Sequence, residues 1–532
     1  MRGVDDWESE NPLVTVAKHF VTKGCLILGV WGLKHFVWKR DNHTGGREKK
    51  QYRVLHNPEK QFKPVHPRWL IDAAASADTP VLDISRLLDW PARYQELCGD
   101  VILHHVRPGQ RAREELFDLS PEWTYLNHGS YGATLRFASE VQSWFWELAE
   151  QQPVLFMETQ ALPILKAARQ EVAALIGARS SDVVPVANAT TAASAVISSV
   201  PLRRGDLLLM TSLTYPAVRN ALARAAGRAG AGLLQVQLPI EVLRRGPKAV
   251  HAAFREALSQ HRGRVKLAVI DHVASFPPVL FDVKALCSLC RGSGAKVLVD
   301  GAHAIGAMPL SVPSLGAHFY CSNLHKWAAT AKGCAFLWVA PSEQQDVLPL
   351  VTSHGYGLGF QGEWLWQGTS DMSAWLSAPA ALYVVSCIGR EKWMQHNSAL
   401  LKEAAGLLRT AFGTEHVLGA DGPYACMAAI ELPSGLPLSA SAPDAQHLQR
   451  ILRERFRIEV PISAWEGALW ARISAQYYNQ LADYKRLAKA VMMLVKEAQR
   501  NTAAGGTSWR SEDYQERLAA EVGTNGFAMT HQ

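Results

Sequence analysis

The sequence predicts an α/β protein: a large domain with a mostly parallel sheet covered by helices, then a smaller α+β domain towards the C-terminus. Three observations predict it. Between about residues 160 and 340, short apolar runs alternate with helix-length stretches, the pattern of a parallel or mixed sheet with covering helices. The chain has 532 residues and is 48% hydrophobic, enough for more than one core. From about residue 400 the alternation gives way to a mixed pattern that contains the strand-like run Ala468–Ser474.

Taken in order, residues 1–80 lack sustained periodicity and are rich in His, Lys, Arg and Pro. They read as an extension of uncertain order with one short helix around Val14–Val37. Residues 81–160 read as a lead-in packed on the catalytic core, helical at first, with Leu82, Ile84, Leu87 and Leu88. A short strand Trp123–Leu126 then enters the turn Asn127-His128-Gly129-Ser130-Tyr131-Gly132, where glycine lets backbone approach a ligand closely. Val141, Trp144, Phe145 and Leu148 follow at helical spacing, which core packing explains.

Residues 161–398 are read as the large domain. A helix Leu162–Ile176 stops at Gly177. The run Val183–Val186 leads through Asn188-Ala189-Thr190-Thr191 into an Ala/Ser-rich helix. Strands are expected at Leu207–Met210, Leu233–Leu238 and Lys266–Ile270, with helices to Ala229 and over Ala249–His261. Further strands are expected at Val297–Val299, His318–Cys321 and Cys334–Val339. Residues 343–370 are a Gly- and Trp-rich loop region, and a long helix starts near 372. The small domain is placed at 399–501, ending in a helix with Leu481, Tyr484, Leu487, Ala488, Val491 and Val495 on one face. Residues 502–532 read as a disordered tail.

Charge and cysteine usage exclude several classes. Residues 1–70 hold 13 Lys/Arg against 7 Asp/Glu, so six of the net +7 charges lie there and the body is nearly neutral. That balance offers nucleic acid no basic face. No run reaches the roughly 18–20 apolar residues of a membrane span, and four acidic residues within the first ten argue against a standard leader. Cytoplasm is the expected location. The eight cysteines show no disulfide rhythm; Cys287 and Cys290 read as a core-facing pair, and no metal site is expected.

The chemistry is carried by strand ends. Asp300 closes the run Val297–Val299, and Lys326 follows the next strand, at the edge where open α/β sheets bind ligands. A carboxylate and an amine so placed suit pyridoxal 5′-phosphate (PLP): the Lys forms the Schiff base and the Asp keeps the pyridine nitrogen protonated. Thr190 and Thr191 open a helix whose free N–H groups favour an anion, with Asn323 and His325 opposite. Tyr215 is positioned to stack on a planar ring, with His303 and Ser275 at neighbouring strand ends. Singly these are also ordinary caps, packed aromatics and turn residues; they converge on one sheet edge. Arg472, on an otherwise apolar strand, needs an anion, either a structural partner or a substrate carboxylate.

The motifs Tyr125–Gly132, Asn188–Thr191, Val299–Ala304, Asn323–Trp327, Gly368–Asp371 and Arg472–Asn479, in this order over about 115–500, resemble class V aminotransferase-fold PLP enzymes, most of all the isopenicillin N epimerase-like branch. The resemblance implies an aspartate aminotransferase-like (fold type I) large domain. It implies Lys326, Asp300 and Tyr215 as catalytic residues, and Thr190, Thr191, Tyr215, Ser275, Asp300, His303, Asn323, His325, Lys326 and Thr369 around the cofactor. Arg472 would clamp the substrate carboxylate, and Asn127, His128 and Gly129 would line the entrance. A homodimer with shared sites is implied, Thr369 reaching the neighbour's phosphate. Cysteine desulfurases of this fold use a Cys on the loop after the Lys, and Val339–Thr369 holds none. Trp364, Trp366 and Tyr356 suggest instead an aromatic-walled pocket for a bulkier side chain. The expected activity is epimerisation at an amino-acid α-carbon, with cysteine-derivative C–S lysis or transamination as alternatives, and an inactive binding protein as the remote one.

Overall fold

A computed structural model describes residues 106–503, together with Pro67. The expected extension over 1–80, most of the helical lead-in and the C-terminal tail lie outside the described residues.

Seven strands form the main sheet: β2 (Val183–Val186), β3 (Leu207–Thr211), β4 (Gly232–Val236), β5 (Val265–Asp271), β6 (Lys296–Asp300), β7 (Phe319–Asn323) and β8 (Ala335–Val339). Their order is β2-β8-β7-β6-β5-β3-β4. The pairs from β7 to β4 are parallel, and β8 runs antiparallel to both β7 and β2. Alternation of side chains divides each strand between two cores. Leu207 and Leu209 pack on one face with Val297, Val299, Phe336 and Trp338. Leu208 and Met210 pack on the other with Leu298, Leu337 and Val339. Both faces are apolar because helices cover both, which is why these strands read as continuous hydrophobic runs.

The covering helices explain the site's position. Helices α1 (Arg136–Gln151), α2 (Ala161–Leu175), α3 (Ala189–Ser199), α4 (Pro216–Ala229), α5 (Pro247–Gln260) and α6 (Val283–Gly292) each begin or end near a strand. The alanines of α3 and Val218, Leu222 and Ala226 of α4 share the core of Leu208 and Leu298. On α6, Cys287 and Cys290 both face the opposite core. By the two-residue period, Asp300 shares with Leu298 the α3 side of the sheet.

The helix expected from 372 is not continuous. A short turn Ser373–Leu376 and a helix Ala378–Ile388 end at Gly389, where φ is 102°, and α7 (Arg390–Phe412) starts anew. Gly389 has a backbone conformation that breaks the helical hydrogen-bond ladder. The expected domain boundary at 398/399 falls inside α7. The loop after β8 contains a short helix, Gly359–Leu365. Two of its expected pocket aromatics are core residues: Trp364 packs with Val347 and donates its indole N–H to the Val347 carbonyl, and Trp366 joins the core of α2. Burial of a large apolar side chain wins over solvent exposure here, so the aromatic-walled pocket is corrected.

A second, antiparallel sheet has the order β12-β13-β10-β9, formed by β9 (Val417–Leu418), β10 (Met427–Glu431), β12 (Ile462–Trp465) and β13 (Ala468–Ser474). Its core is closed by α7, α8 (Ala442–Phe456) and α9 (Leu481–Ala503), with Tyr484, Leu487 and Val491 fully buried. The segment around β1 (Thr124–Tyr125) pairs in parallel with β11 (Ile458–Glu459), and Leu126 enters this second core. The turn that follows β1 is anchored to β13, where the His128 N–H donates to Ser474 Oγ, while Gly132 packs against the His325–Lys326 backbone after β7.

Candidate active site

The C-terminal ends of the main sheet's strands surround a cavity of about 330 Å³. Of the residues expected to act together, Thr190, Tyr215, Ser275, Asp300, His303, Asn323, His325 and Lys326 all line it. They come from five separate stretches of chain, brought together by strand order.

At its centre Lys326 Nζ lies 3.3 Å from His303 Nε2. Burial lowers the lysine's pKa from 10.5 to about 8, against the opposing pull of Asp300, which favours the ammonium. The His303 ring is fixed from behind, where Trp327 Nε1–H donates to His303 Nδ1 at 3.4 Å. Burial and then the Lys326 and Arg472 charges hold His303 well below the usual imidazole range. The neutral ring therefore carries its proton on Nε2, the atom that faces Lys326.

Asp300 is buried, and its Oδ1 accepts the Ala302 N–H at 3.0 Å. Burial raises its pKa, while Lys326 pulls it down, so the ionised form calls for a cationic partner. Asp271 is its direct neighbour across β5 and β6. Burial, and then the Asp300 charge, pushes Asp271 well above the carboxylate range, and its Oδ2 has no hydrogen-bond partner. Of this adjacent pair, Asp300 is the one placed to ionise.

The anion cradle is the start of α3. Asn188 caps the helix, its Oδ1 accepting the N–H and Oγ1–H of Thr191. Asn323 Oδ1 takes the Ala189 N–H at 2.8 Å. Thr191 is thus spent on the cap and does not line the cavity, whereas Thr190 does. His325 lines it too, but its Nδ1 is 3.0 Å from the Cys334 carbonyl, and burial lowers its pKa to about 4.

Arg472, on β13, is buried and has no carboxylate partner among the described residues. Its Nη1 donates to the Ser275 carbonyl and Oγ at 2.8 and 3.1 Å, and its Nη2 to Asn127 Oδ1 and Ser130 Oγ at 3.1 and 2.8 Å. Burial lowers its pKa from 12.5 to about 10, so the guanidinium remains a cation held by neutral oxygens. Ser275 and Ser130, which it grips, line the cavity.

Asn127, His128 and Gly129 were expected at the entrance, but they lie behind the wall. Asn127 also donates to Glu459. His128 is fully buried and sits 2.9 Å from the Lys326 carbonyl and 3.0 Å from the Tyr478 hydroxyl. Burial holds it neutral, with a pKa of about 3. Gly129 packs against Met427 and His303 with no room for a side chain. Gly132, at φ 73°, lies so close to the Lys326 backbone that a Cβ would collide with the His325 carbonyl. The residues of this turn that do reach the cavity are Ser130 and Tyr131. Thr369 is exposed and outside the cavity, as is Tyr356.

Asp271, Ser130, Tyr131 and Lys332 also line the cavity and were not singled out from sequence. Asp271 had a readable signal, since it ends β5 as Asp300 ends β6. Among the described residues no group of three or more His, Cys, Asp or Glu side chains is arranged to hold a metal ion, and no helix is long and apolar enough to cross a membrane.

An amine, a buried carboxylate, and a helix N-terminus around one cavity fit a molecule with an aldehyde, a basic ring nitrogen and a phosphate. That donor set matches PLP. Comparison with known proteins agrees with the geometry. A family model, aminotransferase class-V, matches residues 151–442. A putative L-cysteine desulfhydrase 2 of Oryza sativa subsp. japonica is 35% identical over 411 residues, covering 70% of this chain and 84% of its own. An isopenicillin N epimerase of Streptomyces clavuligerus is 29% identical, covering 71% and 96%. Among solved structures, a cystine C–S lyase in complex with its product cysteine persulfide superposes with a TM-score of 0.60 at 20% identity, covering 70% of this chain and 97% of that one.

Proposed function

The chain belongs to the class V aminotransferase family and is a PLP-dependent enzyme, and we propose that it is a C–S lyase releasing sulfide from L-cysteine or a small S-substituted cysteine. The observation that carries this reading is the cavity. At about 330 Å³ it is at the small end of ligand pockets, roughly 300–1,000 Å³, and it must hold cofactor and substrate together. A cysteine-sized substrate suits that space better than a molecule as large as isopenicillin N. The relative named as a desulfhydrase also matches at higher identity than the one named as an epimerase. The sequence had ranked epimerisation first; the pocket's size and the withdrawal of Trp364 and Trp366 into the core support lysis.

The roles follow from the side chains. When bound, PLP supplies an electron-withdrawing ring that acidifies the substrate's Cα–H. Thr190 and Asn323 would hold its phosphate, Asp300 its ring nitrogen and Tyr215 its ring face. Arg472 binds the substrate carboxylate, exchanging neutral oxygens for a charge. Lys326, neutral at Nζ, takes the Cα proton, and His303 Nε2 keeps the amine in place. The C–S bond then breaks with its electron pair going to sulfur, and the ammonium at Nζ returns a proton as sulfide leaves. Water completes the balance: cysteine plus water gives hydrogen sulfide, pyruvate and ammonia. A persulfide route is disfavoured, because Cys287, Cys290, Cys321, Cys334 and Cys426 are all buried and none lines the cavity.

The proposed assembly is a homodimer in which the exposed Thr369 reaches the partner's cofactor site. Exposed Leu348, Leu350 and Val351 on the same loop region give it an apolar surface to cover. The test is to incubate purified holoenzyme with L-cysteine in D₂O. Sulfide and pyruvate released in equal amounts, both lost in Lys326→Ala, support the lyase. Recovery of inverted, α-deuterated cysteine without sulfide would overturn it in favour of epimerisation.

A further inference from the structure

We propose that Lys332 provides the positive charge that binds the cofactor's phosphate. The inference rests on the PLP cofactor and is independent of which reaction follows. The cradle at the start of α3 is built from neutral groups. The Ala189 N–H is taken by Asn323, and the Thr191 N–H by Asn188. This leaves the Thr190 N–H, which has no acceptor within the helix, the Thr190 hydroxyl and the Asn323 amide NH₂, all of them neutral. His325 adds no charge. Its Nδ1 proton is committed to the Cys334 carbonyl, so neutral His325 presents a bare Nε2, which accepts and cannot donate. Burial and the Lys326 and Lys332 charges together oppose its conversion to imidazolium.

A phosphate monoester carries nearly two negative charges at neutral pH, and neutral donors alone leave them uncompensated. Lys332 lines the same cavity, beside Gly333 and His325. Its Nζ makes one polar contact, donating to Thr134 Oγ1 at 3.0 Å. No carboxylate pairs with it among the described residues, and it has no structural anion to serve. Lys326, the other amine, is committed to the chemistry beside His303. The ligand chemistry Lys332 can take is therefore a phosphate at the mouth of the α3 cradle. Lys332 acts as a cofactor-binding residue and touches no reacting atom.

The test compares cofactor with and without its phosphate, using full-length protein. Release of PLP from the holoenzyme is followed by loss of the ~420 nm band, and PLP and pyridoxal are then titrated back. Lys332→Ala should weaken PLP about tenfold, the effect of one charge-assisted contact, and leave pyridoxal binding unchanged. Lys332→Arg should recover most of the loss. Equal weakening of PLP and pyridoxal, or unchanged PLP affinity, would overturn the assignment. If Lys332→Ala does not fold, Lys332→Gln removes the charge at similar length and is read in the same way. Absence of any ~420 nm band from the unmodified protein after incubation with PLP would refute the PLP cofactor itself, a failure distinct from that of Lys332.

Discussion

The amine that captures the cofactor must be neutral, and its burial sets a measurable pH. Lys326 has a pKa of about 8 in the folded chain against 10.5 for a free lysine. At pH 7 about 9% of such an amine is neutral, compared with about 0.03% for an ordinary lysine, a gain of about 300-fold. The assay is the rate at which PLP is captured by cofactor-free, full-length protein, read at ~420 nm between pH 6.5 and 10. The rate should rise about tenfold per pH unit at first and level off near pH 8. Asp300→Asn removes the charge that favours the ammonium, so its inflection should move to lower pH. The same shift has a stability counterpart of up to about 3 kcal/mol. Between pH 8 and 10.5 the unfolded chain binds the extra proton, so the cofactor-free fold gains stability as pH rises through that window. A capture rate that keeps climbing to pH 10, or an Asp300→Asn inflection that moves upward, would refute the reasoning.

Two further outcomes follow from residues packed behind the cavity wall, Arg472 and Gly132. Arg472→Gln should raise the inhibition constant of 3-mercaptopropionate, a carboxylate without an amine, by about 30-fold or more, in line with the roughly 2–5 kcal/mol lost when a buried charge partner is truncated. Competition by cysteamine, an amine without a carboxylate, should be nearly unchanged; equal loss for both in competition assays would refute the carboxylate role. Gly132→Ala places a Cβ against the His325 carbonyl from a positive φ, which should cost about 2–4 kcal/mol in urea unfolding and weaken cofactor retention.

Much of this site was legible because strand ends leave a mark in sequence. Asp300 follows Val297–Val299 and Asn323 follows Phe319–Ser322; an apolar run that stops at a polar residue gives both the strand and its functional end. Thr190 and Thr191 were both read as phosphate donors because a helix start is visible. Which of two adjacent threonines caps the helix is a matter of rotamer and Asn188 geometry, which spacing does not encode. Trp364 and Trp366 illustrate the converse limit. A tryptophan in a glycine-rich loop has the same local pattern whether it walls a pocket or fills a core. Only the helix Gly359–Leu365 and its packing on Val347 decide it.

The turn at 127–132 shows why the remaining residues were read in the right place with the wrong task. Its sequence suggested a substrate entrance, and the chain does bring it to the cavity. Two constraints then divide it. Hydrogen bonds to Arg472 and Ser474 on β13 tie Asn127 and His128 to the second sheet, where they support Arg472 and the Lys326 carbonyl from behind. Gly129 packs against the Met427 side chain and Gly132 is required for contact with the His325–Lys326 backbone, leaving Ser130 and Tyr131 as the residues that look inward. The turn thus couples the strand that carries Arg472 to the segment that carries Lys326. On the proposed role of Arg472, a substrate it held would be positioned relative to Lys326 through backbone packing rather than through a flexible side chain, the kind of rigid placement on which proton abstraction at one carbon depends.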